Sequence, residues 1–300
     1  MNTVYFDSSV SDQIRRERLY NGQLYVFSPC HSSMALCNFA RTLIEDAFQG
    51  RDPRTAQHGM PVDEYAAILA KLKPDFIHHA KSKDLIKNLL SELRCDLDQT
   101  YFDVPRMRSS TSGGYLTAGI AYAWHPHRDT WYSAPACQIN WWIPIYDIES
   151  DNAMAFHPKY WTERVPNSSA GYNYAEWNKH HRANAAQYLT EDPRPLPRAV
   201  QPIELEPQLR LICPAGGIIL FSGAQMHSSV PNTSGLTRFS IDFRTVHLDD
   251  VRAFHGAPNV DWECTGTTMN DYLRGTDLSH IPADMVGMYE ERSTRSQKPV

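Results

Sequence analysis

Apolar residues recur at helical spacing through the first hundred positions, and the pattern then changes to short alternating runs. Residues 32–48 place Leu36, Phe39, Ala40, Leu43 and Ala47 on one helix face. Leu85, Leu89, Leu90 and Leu93 do the same for a helix that Ser82 would cap and that would run to about Cys95. A shorter charged helix is predicted over 11–20. Pro61 would open another, ending at Lys73 because Pro74 lacks the N–H that a helix interior needs. Residues 23–28 (QLYVFS) read as a strand. Beyond Thr100, β-branched and aromatic runs broken by Gly, Pro, Asn and Ser predict strands over 101–108, 114–125, 137–146, 209–213, 217–222 and 237–247. Residues 158–204 interrupt them with a polar insertion rich in Asn, Tyr and Trp, helical over 174–188 and closing with DPRPLPR. Strands without regularly alternating helices favour an antiparallel sandwich or barrel over a parallel doubly wound sheet. No break in composition divides the chain, so one domain is expected over 1–300. Residues 1–99 would form helical support, 100–157 and 205–250 the β core, and 158–204 a lid.

Composition narrows the classes. The 300 residues are 42% apolar and 21% charged, which suits a folded protein. A net charge of −5 without a long basic run disfavours nucleic-acid and anionic-membrane partners. No run approaches the length of a membrane span, and the first residues lack a basic-then-apolar leader. The six cysteines are scattered, with no CxxC. Free thiols and a cytoplasmic location are therefore expected. The oligomeric state is left open.

The chemistry-bearing pattern is His127-Arg128-Asp129. On a strand, positions i and i+2 point to one side, so HxD sets an imidazole beside a carboxylate. A further histidine would complete two imidazoles and one carboxylate on one face of a metal, the set that suits non-haem Fe(II). HxD alone is weak: with 13 histidines in 300 residues, about one pairing with Asp arises by chance, and His247-Leu248-Asp249 is a second instance. Context separates them. His127 follows an apolar run into a loop. His227 follows another, Ile218-Ile-Leu-Phe-Ser-Gly-Ala-Gln-Met-His227, and Arg238 stands in a third. The second HxD has no such partners and reads as structural.

His127, Asp129, His227 and Arg238 together resemble the signature of the Fe(II)/2-oxoglutarate-dependent oxygenases. Within them, Pro214–Ser234 (PAGGIILFSGAQMHSSVPNTS) is similar to a motif of the phytanoyl-CoA dioxygenase-like group, as is Asp151-Asn152 followed by Met154, Phe156 and Pro158. The resemblance covers about residues 100–246. It implies a mainly β fold with α, a double-stranded β-helix (a jelly-roll or cupin-like barrel), with the helical N-terminal region packed on it. It implies Fe(II) held by His127, Asp129 and His227, and 2-oxoglutarate as cosubstrate. Arg238 would pair with the distal carboxylate of 2-oxoglutarate, helped by Ser229, with Ser240 as a competitor on the strand face. Gln138, Asn140 and Trp142 alternate on one strand face and would line the cosubstrate pocket. The activity implied is O₂-dependent hydroxylation of a C–H bond in a small or medium polar metabolite or natural-product intermediate. Asp129 keeps a carboxylate on the metal, which disfavours halogenation. Ala153 and Lys159-Tyr160-Trp161 depart from the group's usual residues, so a coenzyme A thioester is not implied.

Trp131, Tyr132, His157 and Arg244 are candidate substrate contacts. Arg244 equally suits a carboxylate of the protein, and Trp131–Tyr132 could instead cap the barrel. His125 reads as outside the ligand set, Trp124 and Trp141 as packing, and Asp242 as an ion-pair partner. Two other functions fit the same pattern: a cupin-type metal dioxygenase or isomerase that needs no Arg238, and a non-catalytic metal- or ligand-binding barrel.

Overall fold

The computed structural model describes residues 3–121, 125–181, 188–189 and 191–295. Five strands and four helices open the described chain, in the order β1 (Val4–Phe6), α1 (Asp12–Tyr20), β2 (Leu24–Phe27), α2 (His31–Phe48), α3 (Val62–His78), α4 (Ala80–Glu92), β3 (Thr100–Phe102), β4 (Arg106–Ser110) and β5 (Ile139–Pro144). β6 (Met154–Phe156), α5 (Tyr174–His181), β7 (Leu209–Leu211), β8 (Ile218–Ser222), β9 (His227–Ser229) and β10 (Arg238–His247) follow. The last elements are α6 (Leu248–Ala253), β11 (Leu273–Arg274) and α7 (Ala283–Arg295).

An eight-stranded sheet runs β1-β2-β8-β5-β10-β3-β11, with β4 also paired to β10, and a three-stranded sheet runs β7-β6-β9. All pairings are antiparallel except β1 with β2. The fold is thus mixed α/β with two sheets. Among the described strands the sheets are hydrogen-bonded separately rather than closed into one barrel.

Strand periodicity decides which residues meet which layer. In β5 and β10 the odd-numbered Ile139, Trp141, Ile143, Phe239, Ile241 and Phe243 are buried in one cluster with Leu36, Ile44, Leu69, Phe76 and Leu89 of α2, α3 and α4. The opposite face packs differently. Trp142, Ile219 and Phe221 join Met154, Phe156 and Leu211, so the large and small sheets share a second core. The even-numbered positions of β10, Arg238, Ser240, Asp242 and Arg244, lie opposite Ser110, Arg108 and Arg106 of β4, and opposite Trp142 and Asn140 of β5. This polar sheet face carries the site.

Several boundaries differ from the sequence pattern. The helix expected to stop at Pro74 continues to His78 with Pro74 inside it. Pro74 is exposed while Phe76, beyond it, is fully buried, and that burial offsets the one backbone bond proline cannot donate. Ser82 does not cap α4. The His79 ring accepts from the Lys81 N–H at 3.1 Å, and the Ser82 hydroxyl donates to the Phe76 carbonyl at 2.6 Å. The 101–108 run breaks into β3 and β4. No strand forms in the described part of 114–125, which carries a 3₁₀ turn at Gly119–Ala121. Trp124 and residues 182–187 of the expected insertion helix lie outside the described residues. Gly216 adopts φ +80°, and a Cβ there would stand 2.5 Å from Met34 Sδ, so the turn into β8 requires glycine. All six cysteines are free. No described helix is long and apolar enough to cross a membrane.

Candidate metal centre

His127 and His227 form an antiparallel bridge, each N–H donating to the other's carbonyl at 3.0 Å. That bridge brings together two histidines one hundred residues apart. Arg128 is extended, and a 3₁₀ turn over Asp129–Tyr132 follows it. The extended residue puts Asp129 on the side of His127, while Arg128 points away. His127, Asp129 and His227 are all buried, and their candidate ligand atoms lie within 4.8 Å of one another. Asp129 Oδ1 stands 3.5 Å from His127 Nε2 and 4.0 Å from His227 Nε2.

The tautomers follow from the neighbours. His127 Nδ1 lies 2.7 Å from the His125 carbonyl, and His227 Nδ1 lies 2.9 Å from the Gln225 carbonyl. A carbonyl only accepts, so each Nδ1 carries the proton and each Nε2 keeps its lone pair for a metal. Burial, reinforced by His127, pushes the His227 pKa down to about 3 and keeps the ring neutral. For Asp129, burial opposes ionisation, yet the adjacent His127 ring and the Arg244 guanidinium hold the carboxyl well below the usual range. Two neutral imidazoles and one carboxylate, converging from one side, fit a divalent iron-type ion.

The second carboxylate oxygen is tethered. Asp129 Oδ2 accepts from Gln138 Nε2 and Asn140 Nδ2, both at 2.8 Å. The Tyr272 hydroxyl donates to Gln138 Oε1 at 2.8 Å. Gln138 and Asn140 therefore orient a candidate metal ligand, and both also border the cavity.

A cavity of about 400 Å³ is lined by His127, Asp129 and His227 and also by Arg238, Trp142 and Ser229 and by Arg106, Arg108 and Arg244. Arg238 donates to the Asn152 and Ala153 carbonyls at 2.7 and 3.2 Å and to Ser229 Oγ at 3.3 Å. It also lies over the Trp142 ring, 5.4 Å from the centroid. Its Nε has no partner, and no carboxylate among the described residues neutralises it. Burial alone lowers its pKa to about 10. Ser240 is fully buried, with an unpartnered hydroxyl, and does not border the cavity.

The candidate substrate contacts separate. Tyr132 borders the cavity, edge-on to His127 at 5.5 Å, with its hydroxyl donated to the Pro197 carbonyl. Trp131 does not reach the cavity. The 3₁₀ turn breaks the two-residue alternation and sends it into a core with Tyr160, Val165 and Met226, where Nε1 donates to Asp261 at 2.7 Å. His157 is also buried away from the cavity, with Nδ1 against the Leu205 carbonyl and Nε2 against Ser228 Oγ. Arg244 borders the cavity and is held by Asp103 at 3.2 Å, Asp242 at 3.5 Å and Asp129 at 3.7 Å. Asp242 pairs with Arg108 at 2.7 Å, and Trp141 is packing.

Arg128 was absent from the sequence candidates. It is wholly buried, pairs with Asp261 at 3.0 Å, and donates to the carbonyls of Ala224, Tyr160 and Glu163. It thereby ties the loop before His227, the insertion and the distal chain to the segment between two ligands. Its place between His127 and Asp129 already pointed it to the opposite side.

No family model matches the chain, and no curated protein matches it. Solved structures similar to it include the non-heme α-ketoglutarate-dependent epimerase SnoN of nogalamycin biosynthesis, at 13% identity over 79% of this chain and 84% of that one, with TM-score 0.37. EvdO2 from Micromonospora carbonacea var. aurantiaca, solved with 2-oxoglutarate, shows 10% identity over 79% and 91%, with TM-score 0.44. The non-heme monooxygenase ThoJ shows 13% identity over 73% and 71%, with TM-score 0.36. Identities and TM-scores this low leave the chemistry to be read from the chain's own residues.

Proposed function

We propose that this chain is an Fe(II)- and 2-oxoglutarate-dependent oxygenase that hydroxylates a C–H bond of a small organic substrate. The observation that carries the reading is Arg238: a buried guanidinium without a carboxylate partner, in the same cavity as the His127, Asp129 and His227 triad. A desolvated cation held this way favours an anionic guest, and a planar guanidinium matches a carboxylate. The Pro214–Ser234 segment supports a place beside the phytanoyl-CoA dioxygenase-like group.

In this reading His127, Asp129 and His227 hold the iron. Bound Fe(II) and 2-oxoglutarate, with O₂, supply the oxidising chemistry. The protein's part is positional. Gln138 and Asn140 keep Asp129 Oδ1 turned toward the histidines. The His125 and Gln225 carbonyls fix both Nε2 lone pairs. Arg238 and Ser229 receive the distal carboxylate, and Trp142 closes one side of it. Tyr132 and the aromatic residues of the insertion, Tyr172 and Trp177, shield the open side of the cavity from water.

Anaerobic titration with Fe(II) and then 2-oxoglutarate tests the reading. A weak visible charge-transfer band is expected on adding 2-oxoglutarate to the iron-loaded protein, and Arg238→Gln is expected to abolish it while iron still binds. Iron binding without the band in the wild-type protein would overturn the cosubstrate assignment and favour a cupin-type metal enzyme.

A further inference from the structure

The polar sheet face carries more positive charge than the triad and its cosubstrate need. Arg106 and Arg108 of β4, Arg244 of β10 and Lys73 of α3 border the cavity, and the arginines converge on Asp103 and Asp242, whereas Arg238 shares neither carboxylate. Arg238 and Arg244 lie six residues apart on one strand face, roughly 20 Å along the strand. The two basic ends are therefore distinct.

Among the described residues, two carboxylates other than Asp129 pair with three of the four cations at this end. Asp103 takes Arg106 and Arg244, and Asp242 takes Arg108 and Arg244. Asp129, which also faces Arg244, is spent on the metal. Lys73 makes no ion pair among the described residues. Its ammonium donates to the Ile120 carbonyl and is otherwise buried. Burial and the nearby Arg108 lower its pKa to about 7, against the pull of Asp242. The arginines are not sealed off: the Arg108 side chain is 31% exposed where it borders the cavity. An excess of one to two positive charges in a largely desolvated space costs free energy unless a guest neutralises it. The facing wall is aromatic, with Tyr132 edge-on to Tyr172 at 5.6 Å and Trp177 beyond it.

We propose that the cavity end formed by Lys73, Arg106, Arg108 and Arg244 seats an oxyanion carried by the substrate, a carboxylate or a phosphate ester. The substrate is then an organic acid whose apolar or aromatic body lies along Tyr132, Tyr172 and Trp177. Naming this occupant the substrate rests on the oxygenase reading above, but the anion site itself does not. The acid group would anchor one end of the molecule and leave its body toward His127, Asp129 and His227, which would hold the iron.

The test is calorimetric titration of the full chain with 3-phenylpropionate, phenethyl phosphate and the neutral 3-phenylpropionamide, with and without Fe(II) and 2-oxoglutarate. At least one acid is expected to bind tenfold or more tightly than the amide, and the tighter of the two identifies the oxyanion. Lys73→Met should reduce acid affinity about tenfold, leaving amide and 2-oxoglutarate binding unchanged. Arg238→Gln should do the reverse, sparing the acid. Acid binding no tighter than the amide, or none at millimolar concentration, overturns the proposal in the wild-type protein, whatever the variants do. Acid affinity lost in Arg238→Gln and kept in a folded Lys73→Met overturns it too, because the acid would then occupy the Arg238 end. A wild-type protein that binds the acids but never 2-oxoglutarate keeps the anion site and rejects only the oxygenase reading.

Discussion

Gln138 Nε2 donates to Asp129 Oδ2 at 2.8 Å, and the same amide receives the Tyr272 hydroxyl through Oε1. The chain Tyr272–Gln138–Asp129 fixes which carboxylate oxygen faces the two histidines. Replacing Gln138 by Leu removes one of the two amide donors to Oδ2 and leaves the Tyr272 hydroxyl without its acceptor. Outer partners of metal ligands are commonly worth about 10–100-fold in metal affinity. Gln138→Leu is therefore expected to weaken Fe(II) binding by that order in an anaerobic competition titration. Unchanged affinity would show that Asn140 alone orients the carboxylate.

Asp261 gathers Arg128, the Trp131 indole N–H and the Val165 backbone N–H. Removing it strands a wholly buried guanidinium behind the candidate metal ligands. Breaking a buried pair on one side costs about 3–5 kcal/mol. Asp261→Ala is expected to lower the unfolding free energy by that order, read from urea denaturation. A loss under about 1 kcal/mol would mean that the carbonyls around Arg128 suffice to hold it.

Lys73 gives the metal-free protein a pH signature. Its folded pKa is lowered to about 7, well below the ordinary lysine value of about 10.4. Between those values the unfolded chain binds the extra proton, so stability rises with pH from about 7 upward. The buried thiols of Cys37, Cys137 and Cys213 are pushed up to about 12, chiefly by burial. They, and the likewise raised Cys95 and Cys264, hold their protons when folded and lose them when unfolded, which lowers stability from about pH 8 upward. The Lys73 contribution is therefore read between roughly pH 7 and 8, as the difference between wild type and Lys73→Met. Chemical denaturation across that window should show a slope more positive in wild type than in Lys73→Met, by about a kcal/mol per pH unit. An equal slope in both proteins would place the titration elsewhere.

Gly256 sits where a Cβ would meet the Ala136 carbonyl carbon at 2.4 Å and its oxygen at 2.5 Å. Backbone cannot yield as a side-chain tip can. Gly256→Ala is expected to cost about 1–3 kcal/mol, as overpacking does, and to disturb the Ala136–Cys137 segment that leads into Gln138. Gly171, whose Cβ would meet nothing within 4 Å, is the control. Equal melting temperatures for Gly256→Ala and Gly171→Ala would contradict the close approach.

Much of this architecture was legible in the order of residues, because local rules governed it. Helix spacing located α2 and α4, a short charged stretch α1, and β-branched and aromatic runs located β2, β5, β8 and β10, each to within a few residues. Residue chemistry singled out His127, Asp129, His227 and Arg238, since few side chains hold a metal or pair with a carboxylate. The misreadings arose where a local rule met a tertiary one. Pro74 did not end its helix because Phe76 is buried beyond it, and Trp131 left the cavity because a 3₁₀ turn replaced the strand alternation. The short strands β6 and β9 carry too few residues to show a period, and only their pairing, with each other and of β6 with β7, defines them.

What the sequence determined by itself, then, was the set of candidate donors and the strand-rich core, because side-chain chemistry and hydrophobic period are properties of single residues and their near neighbours. The tertiary structure decided the rest: that Arg128 locks to Asp261, that Tyr272 and Gln138 steer Asp129, and that Lys73 joins three arginines at one end of the cavity. Each of these depends on residues tens to more than a hundred positions apart, and their meeting is set by strand register and sheet packing, which no local spacing encodes.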